Sequence, residues 1–361
     1  MNRHNEALLE EYRKTQDVYG KLGETAVALL QKKIAESSIM VLQLSHRVKT
    51  ESSLAGKLER KGDRYQALTD LTDLLGIRVI CYFADDVDRI AELVEVLFAI
   101  DRANSVDKRK ILNDDQFGYV SLHYICSLTP DQCDEASLCM LRFEIQIRSV
   151  LQHAWAEINH DIGYKNTTGV PHSIIREFSR IAGLLEIADD QFSQIRDSVR
   201  QYREDSVETV RKQDLTELPV NEITLHAYFD SDPSLQAFFR DRNRVLVQDG
   251  SEDSTERLNA LNILTMEQFS ALVQKYLPKA IELADYENDA ESTKIGTEQL
   301  VRLLIEACLS DSPDPESEVH SYMTRYYKDA EIAERREKDL LKYIKRLSKG
   351  KSAKRKGSDF L

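Results

Sequence analysis

Polar and apolar residues alternate with a period of two over residues 142–148, Arg-Phe-Glu-Ile-Gln-Ile-Arg. A β-strand there carries Arg142, Glu144, Gln146 and Arg148 on one face and Phe143, Ile145 and Ile147 on the other. A carboxylate flanked by two guanidiniums and an amide is unusual for a plain solvent face; the row is suited to holding an anion and accepting a proton. Residues 119–128 divide in the same way, with Tyr119, Ser121 and His123 on one side and Val120 and Leu122 on the other. Residues 76–83, GIRVICYF, predict a third strand, which carries Arg78. Asp85 and Asp86 then open a helix through Leu97, where acids favour the positive end of the helix dipole.

Helical spacing governs most of the rest. Val27, Leu30, Ile34, Val41, Leu44 and Val48 recur at three- and four-residue steps, and Gly20 and Gly23 interrupt the run, which predicts two N-terminal helices within residues 5–49. Residues 101–116 are polar and read as loop. Helices are predicted over 150–164, 173–211, 266–284, 296–309 and 319–347, while 225–248 is ambiguous and 310–317 (SDSPDPES) is a breaker-rich linker. The pattern predicts an α+β fold, a mixed sheet flanked by helices, followed by a mainly helical C-terminal region. The expected organisation is a catalytic-size domain over 1–214, an appendage over 215–310, and a linker, helix and basic tail over 311–361.

Charge and cysteine usage narrow the classes. A net charge of -13 over 361 residues argues against a general nucleic-acid coat, which relies on clustered cations. The tail from Lys342 to Lys356 is basic and reads first as a solvated segment, with a nucleic-acid contact as the other reading. The five cysteines (Cys81, Cys126, Cys133, Cys139, Cys308) are scattered without a CxxC pair and read as reduced thiols of a soluble, cytoplasmic protein. No stretch approaches the roughly 18 apolar residues of a membrane span.

Within this acidic chain Arg47, Lys49, Lys57, Arg60, Lys61 and Arg64 form a basic cluster, a composition that fits a polyanionic ligand. The GxxxxGK[ST] phosphate loop is missing from the sequence. His153, Glu157, His160 and Tyr164 follow one another at steps of four, three and four along a helix face. Zinc could use such a spacing, but the HExxH order is lacking, and support of the Glu144 strand is the better reading. Asp73, five residues before Arg78, could by itself be no more than a turn or cap residue.

In chain order these pieces resemble the synthetase domain of the RelA/SpoT family, the alarmone synthetases, over residues 47–165. The resemblance is carried by Asp73-Leu74-Leu75-Gly76-Ile77-Arg78, by Gly118-Tyr119-Val120-Ser121-Leu122-His123, and by Glu144-Ile145-Gln146-Ile147-Arg148 leading into His153, Trp155-Ala156-Glu157, His160 and Tyr164-Lys165. It implies a nucleotidyltransferase-like sheet and transfer of pyrophosphate from ATP to the 3'-hydroxyl of GDP or GTP, with release of AMP. It implies that Asp73 and Glu144 hold Mg²⁺, that Glu144 accepts the hydroxyl proton, and that Tyr119 stacks on the acceptor base. Arg47, Lys49, Lys57, Arg78 and Arg148 would then grip phosphates, His123, Gln146 and Lys165 would support the acceptor, and His153, Glu157 and His160 would support the site. Where such synthetases usually place Lys and Asn before the Gly-Tyr pair and a basic or amide residue after it, this chain has Asp114, Asp115, Gln116 and Phe117 before, and Val120 after. Fewer cations would meet an acceptor's own phosphates, so a toxin-type reaction on the 3' end of tRNA stands as the alternative. The resemblance leaves room for a homo-oligomer and for a regulatory ligand, a partner or a neutralising role at the C-terminal region.

Overall fold

The computed structural model describes the chain except residues 1–2, 62–63, 108, 110–120, 134–135, 165–170, 250–251, 288–292, 328 and 358–361. Two compact units result, Met1–Asp197 and Ser198–Leu361. In the first, α1 (Arg3–Ala35) leads to β1 (Val41–Val48), α2 (Glu51–Lys61), β2 (Leu75–Cys81), α3 (Asp86–Leu97), β3 (Ala99–Ile100), β4 (Val106–Asp107), β5 (Leu122–Ser127), α4 (Ala136–Cys139), β6 (Phe143–Ser149) and α5 (Val150–Tyr164). The following helix α6 (His172–Arg211) contains the division between the units.

The sheet runs β1-β2-β6-β5-β3, with β4 also paired to β5. Within this sheet, among the described residues, β2 and β6 pair in parallel and the other pairs are antiparallel, so the sheet is mixed as the pattern predicts. One face is the core: Leu75, Ile77, Val79 and Cys81 of β2, Ile145 and Ile147 of β6 and Leu122, Tyr124 and Cys126 of β5 pack with Leu22, Ala26 and Leu30 of α1 and with Val87, Ile90 and Val94 of α3. The opposite face carries Arg78, His123, Glu144, Gln146 and Arg148, because alternate residues of a strand point away from that core.

Three expectations are corrected here. The N-terminal segment is one helix followed by a strand, not two helices. Val41, Leu44 and Val48 mimic helical spacing because the register shifts between Val41 and Gln43, an irregularity that spoils strict alternation. Gly23 does not break α1; a Cβ there would lie 2.5 Å from Cδ2 of His46, so the glycine lets the helix cross β1 closely. Cys133 and Cys139, six residues apart with their Cα atoms at 5.9 Å, are not free thiols but form a disulfide, whereas Cys81, Cys126 and Cys308 are free.

In the second unit α7 (Glu222–Ser231), α8 (Pro233–Asp241), β7 (Val245–Val247), α9 (Glu252–Ala260), α10 (Met266–Glu287), β8 (Lys294–Gly296), α11 (Thr297–Leu309), α12 (Pro315–Tyr326) and α13 (Ala330–Gly357) follow in order. The last two replace the single helix predicted over 319–347, with the chain leaving helical geometry at Tyr327. One core joins them to the rest of the unit, from Val210 through Phe269 and Leu304 to Tyr322, Leu340 and Tyr343. No helix among the described residues is long and apolar enough to cross a membrane.

Candidate functional site

The register of the sheet assembles the site row by row. Gly76 of β2 lies opposite Glu144 of β6, which lies opposite Ile125 of β5; Arg47 of β1 continues that row from the other side of Gly76. The next row is Ser45, Arg78, Gln146 and His123. Gly76 adds no side chain, and a Cβ there would meet only the Arg47 carbonyl at 4.0 Å, so the space beside Glu144 is open.

Both oxygens of Glu144 are occupied by donors. His123 Nδ1 lies 2.6 Å from Oε1, and Gln146 Nε2 donates to Oε2 at 2.8 Å. Arg148 in turn donates to Gln146 Oε1 at 3.2 Å, and Ser121 Oγ sits 2.6 Å from His123 Nε2. Burial pushes the Glu144 carboxyl up, but the His123 contact and the Gln146 donor outweigh it and leave the group below its ordinary range, an ionised acceptor. Beside it, burial and the like charge of Arg78 lower the Arg148 guanidinium, whose Nε is buried without a hydrogen-bond partner. Two neighbouring guanidiniums with an unsatisfied donor form a place for an anion.

A second cluster centres on Asp73, in the turn that feeds β2. Lys57 of α2 donates to Oδ1 at 2.7 Å and Lys49, just after β1, donates to Oδ2 at 3.0 Å. Burial would raise this carboxyl; the two ammoniums prevail and hold it below its usual range. Tyr12 of α1 donates its hydroxyl to the Lys49 carbonyl and is itself pushed up to about 12, first by burial and then by the charge of Asp73. A cavity of about 600 Å³ opens here, lined by Lys49, Ser53, Lys57, Arg60, Lys61, Asp73 and His160, a size that accommodates a nucleotide-scale ligand. The charge of Asp73 also acts on Glu144, which ties the two clusters together electrostatically.

The remaining expected residues divide. Glu157 pairs with Arg78 at 3.5 Å and approaches His153 at 3.7 Å, so α5 supports the guanidinium row, while His160 faces the Asp73 cavity. Burial lowers the His153 pKa, with Arg78 and Arg148 acting in the same direction against Glu157. Arg47 is exposed at the sheet edge. Arg142 leaves the functional face, pairing with Asp101 at 2.8 Å and with the Thr69 carbonyl. Tyr119 and Lys165 lie outside the described residues, as do 114–117 and Val120. Ser53, whose α2 position lines the cavity, and the contact of Ser121 with His123 were not found by motif reading; only the sheet register brings the latter into view.

Among the described residues no group of three or more His, Cys, Asp or Glu side chains could hold a metal. Mg²⁺ does not require one, because it is held by one or two carboxylates with substrate phosphates and water completing its shell. Asp73 and Glu144 carry hard oxygen donors of the kind it takes and would be the residues to hold it. A larger cavity, about 1580 Å³, belongs wholly to the C-terminal unit; its acids Glu334 and Glu337 come from α13 alone, and the sheet-borne carboxylates are not part of it.

Residues 46–169 match the family model described as the region found in RelA / SpoT proteins. The chain is 31% identical to GTP pyrophosphokinase YjbM of Bacillus subtilis (strain 168) over 156 residues, 43% of this chain and 72% of that protein. It is 29% identical to GTP pyrophosphokinase YwaC of the same organism over 157 residues, 42% of this chain and 72% of that protein. The solved small alarmone synthetase 1 from Bacillus subtilis superposes with a TM-score of 0.45 at 22% identity, covering 53% of this chain and 99% of that one.

Proposed function

Since the chain belongs to the RelA/SpoT family, as a synthetase-type transferase, we propose that it moves the β,γ-diphosphate of ATP onto the 3'-hydroxyl of GDP or GTP. The relatives named GTP pyrophosphokinase support alarmone synthesis in general. The observation that carries the finer reading is the pair of depressed carboxylates: Glu144, oriented by His123 and Gln146, and Asp73, clamped by Lys49 and Lys57 in the cavity.

In the proposed reaction the 3'-oxygen attacks the β-phosphorus of ATP, the bond from that phosphorus to the α-phosphate oxygen breaks, and AMP leaves. The hydroxyl proton passes to Glu144. Lys49 and Lys57 shift from Asp73 to the phosphates, and Arg78 and Arg148 offset the charge that spreads over the transferring group. Mg²⁺, held by Asp73 and Glu144, would supply further charge neutralisation on the triphosphate. Tyr119 fits the role of a stacking platform for the acceptor base, with His123, Gln146 and Lys165 on the acceptor side. Because Glu144 is already ionised at neutral pH, it needs no titration to act as base.

The test is transfer of label from γ-labelled ATP to GDP, GTP and total tRNA in separate reactions. Label on a guanine nucleotide is expected. Label on tRNA alone would replace the acceptor, and label on none would overturn the transferase reading.

A further inference from the structure

We propose that the cationic face of α13, with the cavity beside it, binds single-stranded nucleic acid, whose phosphates lie along Lys338, Lys342, Lys345 and Arg346 and one of whose bases stacks on Tyr286. From Lys338 to Lys356 the sequence holds nine cations and one acid, Asp339, within a chain of net charge -13. Steps of four, three and one along a helix set Lys338, Lys342, Lys345 and Arg346 on one face, and all four are exposed. The same four line the cavity of about 1580 Å³. Arg346 lies over the ring of Tyr286, 5.8 Å from its centroid, and Tyr286 and Tyr327 give the cavity two half-buried aromatic walls.

Charge, size and the fate of the helix's other side select this ligand. Leu340 and Tyr343, on the apolar side of α13, are buried in the core of their own unit, and Leu341 and Ile344 pack against it. A helix that lies in a bilayer surface needs that side free, which argues against an anionic membrane. The cavity exceeds the roughly 300–1,000 Å³ of small-molecule sites. Its lining from Ala330 to Arg346 extends about 24 Å along α13, room for several nucleotides. A duplex keeps its base faces stacked inside, whereas an unstacked base can lie on an aromatic ring beside a guanidinium. The acids of the cavity, Glu334 and Glu337, stand toward the start of α13, where His320 Nδ1 lies 3.0 Å from Glu337, so the phosphate path runs from Lys338 onward. Lys345 pairs with Glu316 at 3.1 Å, but both side chains are about two-thirds exposed, and a surface pair of this kind yields readily to a phosphate.

The test is fluorescence anisotropy of labelled oligo(U) and oligo(dT) with the full chain, titrated at salt from about 50 to 200 mM. A Kd near about 1 µM is expected at the lower salt, and log K should fall against log salt with a slope of about -3, roughly 0.7 for each of the four cations. The combined variant Lys338→Gln, Lys342→Gln and Lys345→Gln, all exposed positions, should weaken binding about 100-fold at the lower salt and flatten the slope by about 2. Tyr286→Leu should weaken it about fivefold or more, while Tyr286→Phe, which keeps the ring, should bind as the wild type does. Binding of either strand supports the proposal, and the ratio between the two tells RNA from DNA. An excess of ATP should leave the strand in place; displacement by ATP would put it on the cations around Asp73 and overturn the assignment. So would an unchanged slope and affinity in the combined variant, a duplex bound more tightly than either strand, or capture by phosphatidylglycerol vesicles with no binding of the strands at about 100 µM protein. The readout is binding alone, so it stands whether or not the transfer reaction is found.

Discussion

Glu144→Gln keeps the outline of the side chain and removes its charge, so the two consequences can be separated in magnitude. Loss of a positioned base lowers turnover by about 10²–10⁴, equivalent to roughly 3–5 kcal/mol of barrier. For stability, the amide oxygen accepts from one of the two present donors, His123 Nδ1 or Gln146 Nε2, and its NH₂ faces the other. A buried donor without an acceptor costs about 1–3 kcal/mol, and a turn of the Gln146 amide, which gives up only the 3.2 Å contact from Arg148, keeps the loss near the lower end. At about 2–4 °C per kcal/mol for a domain of this size the melting point should fall by only a few degrees. Acid supplies an independent check. The depressed carboxyl contributes stability that is fully present above its unfolded value, 4.5, and is lost as pH falls through the lower folded value, so the wild type should lose its advantage over the variant as the pH is taken below 4.5. Turnover with labelled ATP and GDP, with melts at neutral and acid pH, measures all three. Turnover within tenfold of wild type would refute the base assignment, and a fall in melting point beyond about 10 °C would trace the lost activity to the fold instead.

Lys57→Met should raise the KM for ATP about tenfold by removing a charge-assisted phosphate contact, and an unchanged KM in steady-state kinetics would take Lys57 out of the phosphate site. Gly23→Ala should destabilise the protein by about 1–3 kcal/mol in a urea titration, because crowding on His46 and Leu75 outweighs the roughly 1 kcal/mol of helix propensity that alanine brings. Gly20→Ala, with nothing within 4 Å of its added Cβ, should be stabilising by up to about that 1 kcal/mol; equal effects at the two glycines would contradict the close crossing. Arg302→Met removes the guanidinium 2.8 Å from Glu306, which is only 1% exposed, and the loss of this charge-assisted contact should cost about 1–3 kcal/mol by denaturant midpoint, so a wild-type midpoint would refute the buried pair.

The strand that carries Glu144 was legible because its two faces differ sharply: Ile145 and Ile147 are buried in the core, and Glu144, Gln146 and Arg148 lie half-buried on the opposite face. Strand β1 was not, since the register shift near Val41 and the buried-side His46 remove the alternation that would have announced it, leaving apolar steps of three and four that imitate a helix. The Asp73 cluster shows a different limit. Lys49 and Lys57 stand 24 and 16 residues before the carboxylate they clamp, and only the fold of β1, α2 and β2 brings them to it. Sequence pattern thus reaches the residues that one element presents together, whereas partnership across elements depends on register. By the same logic Ser121 reads from the sequence as one more polar residue on a strand face, and gains its meaning only when β5 lies antiparallel to β6 and sets His123 between a hydroxyl and an ionised carboxylate.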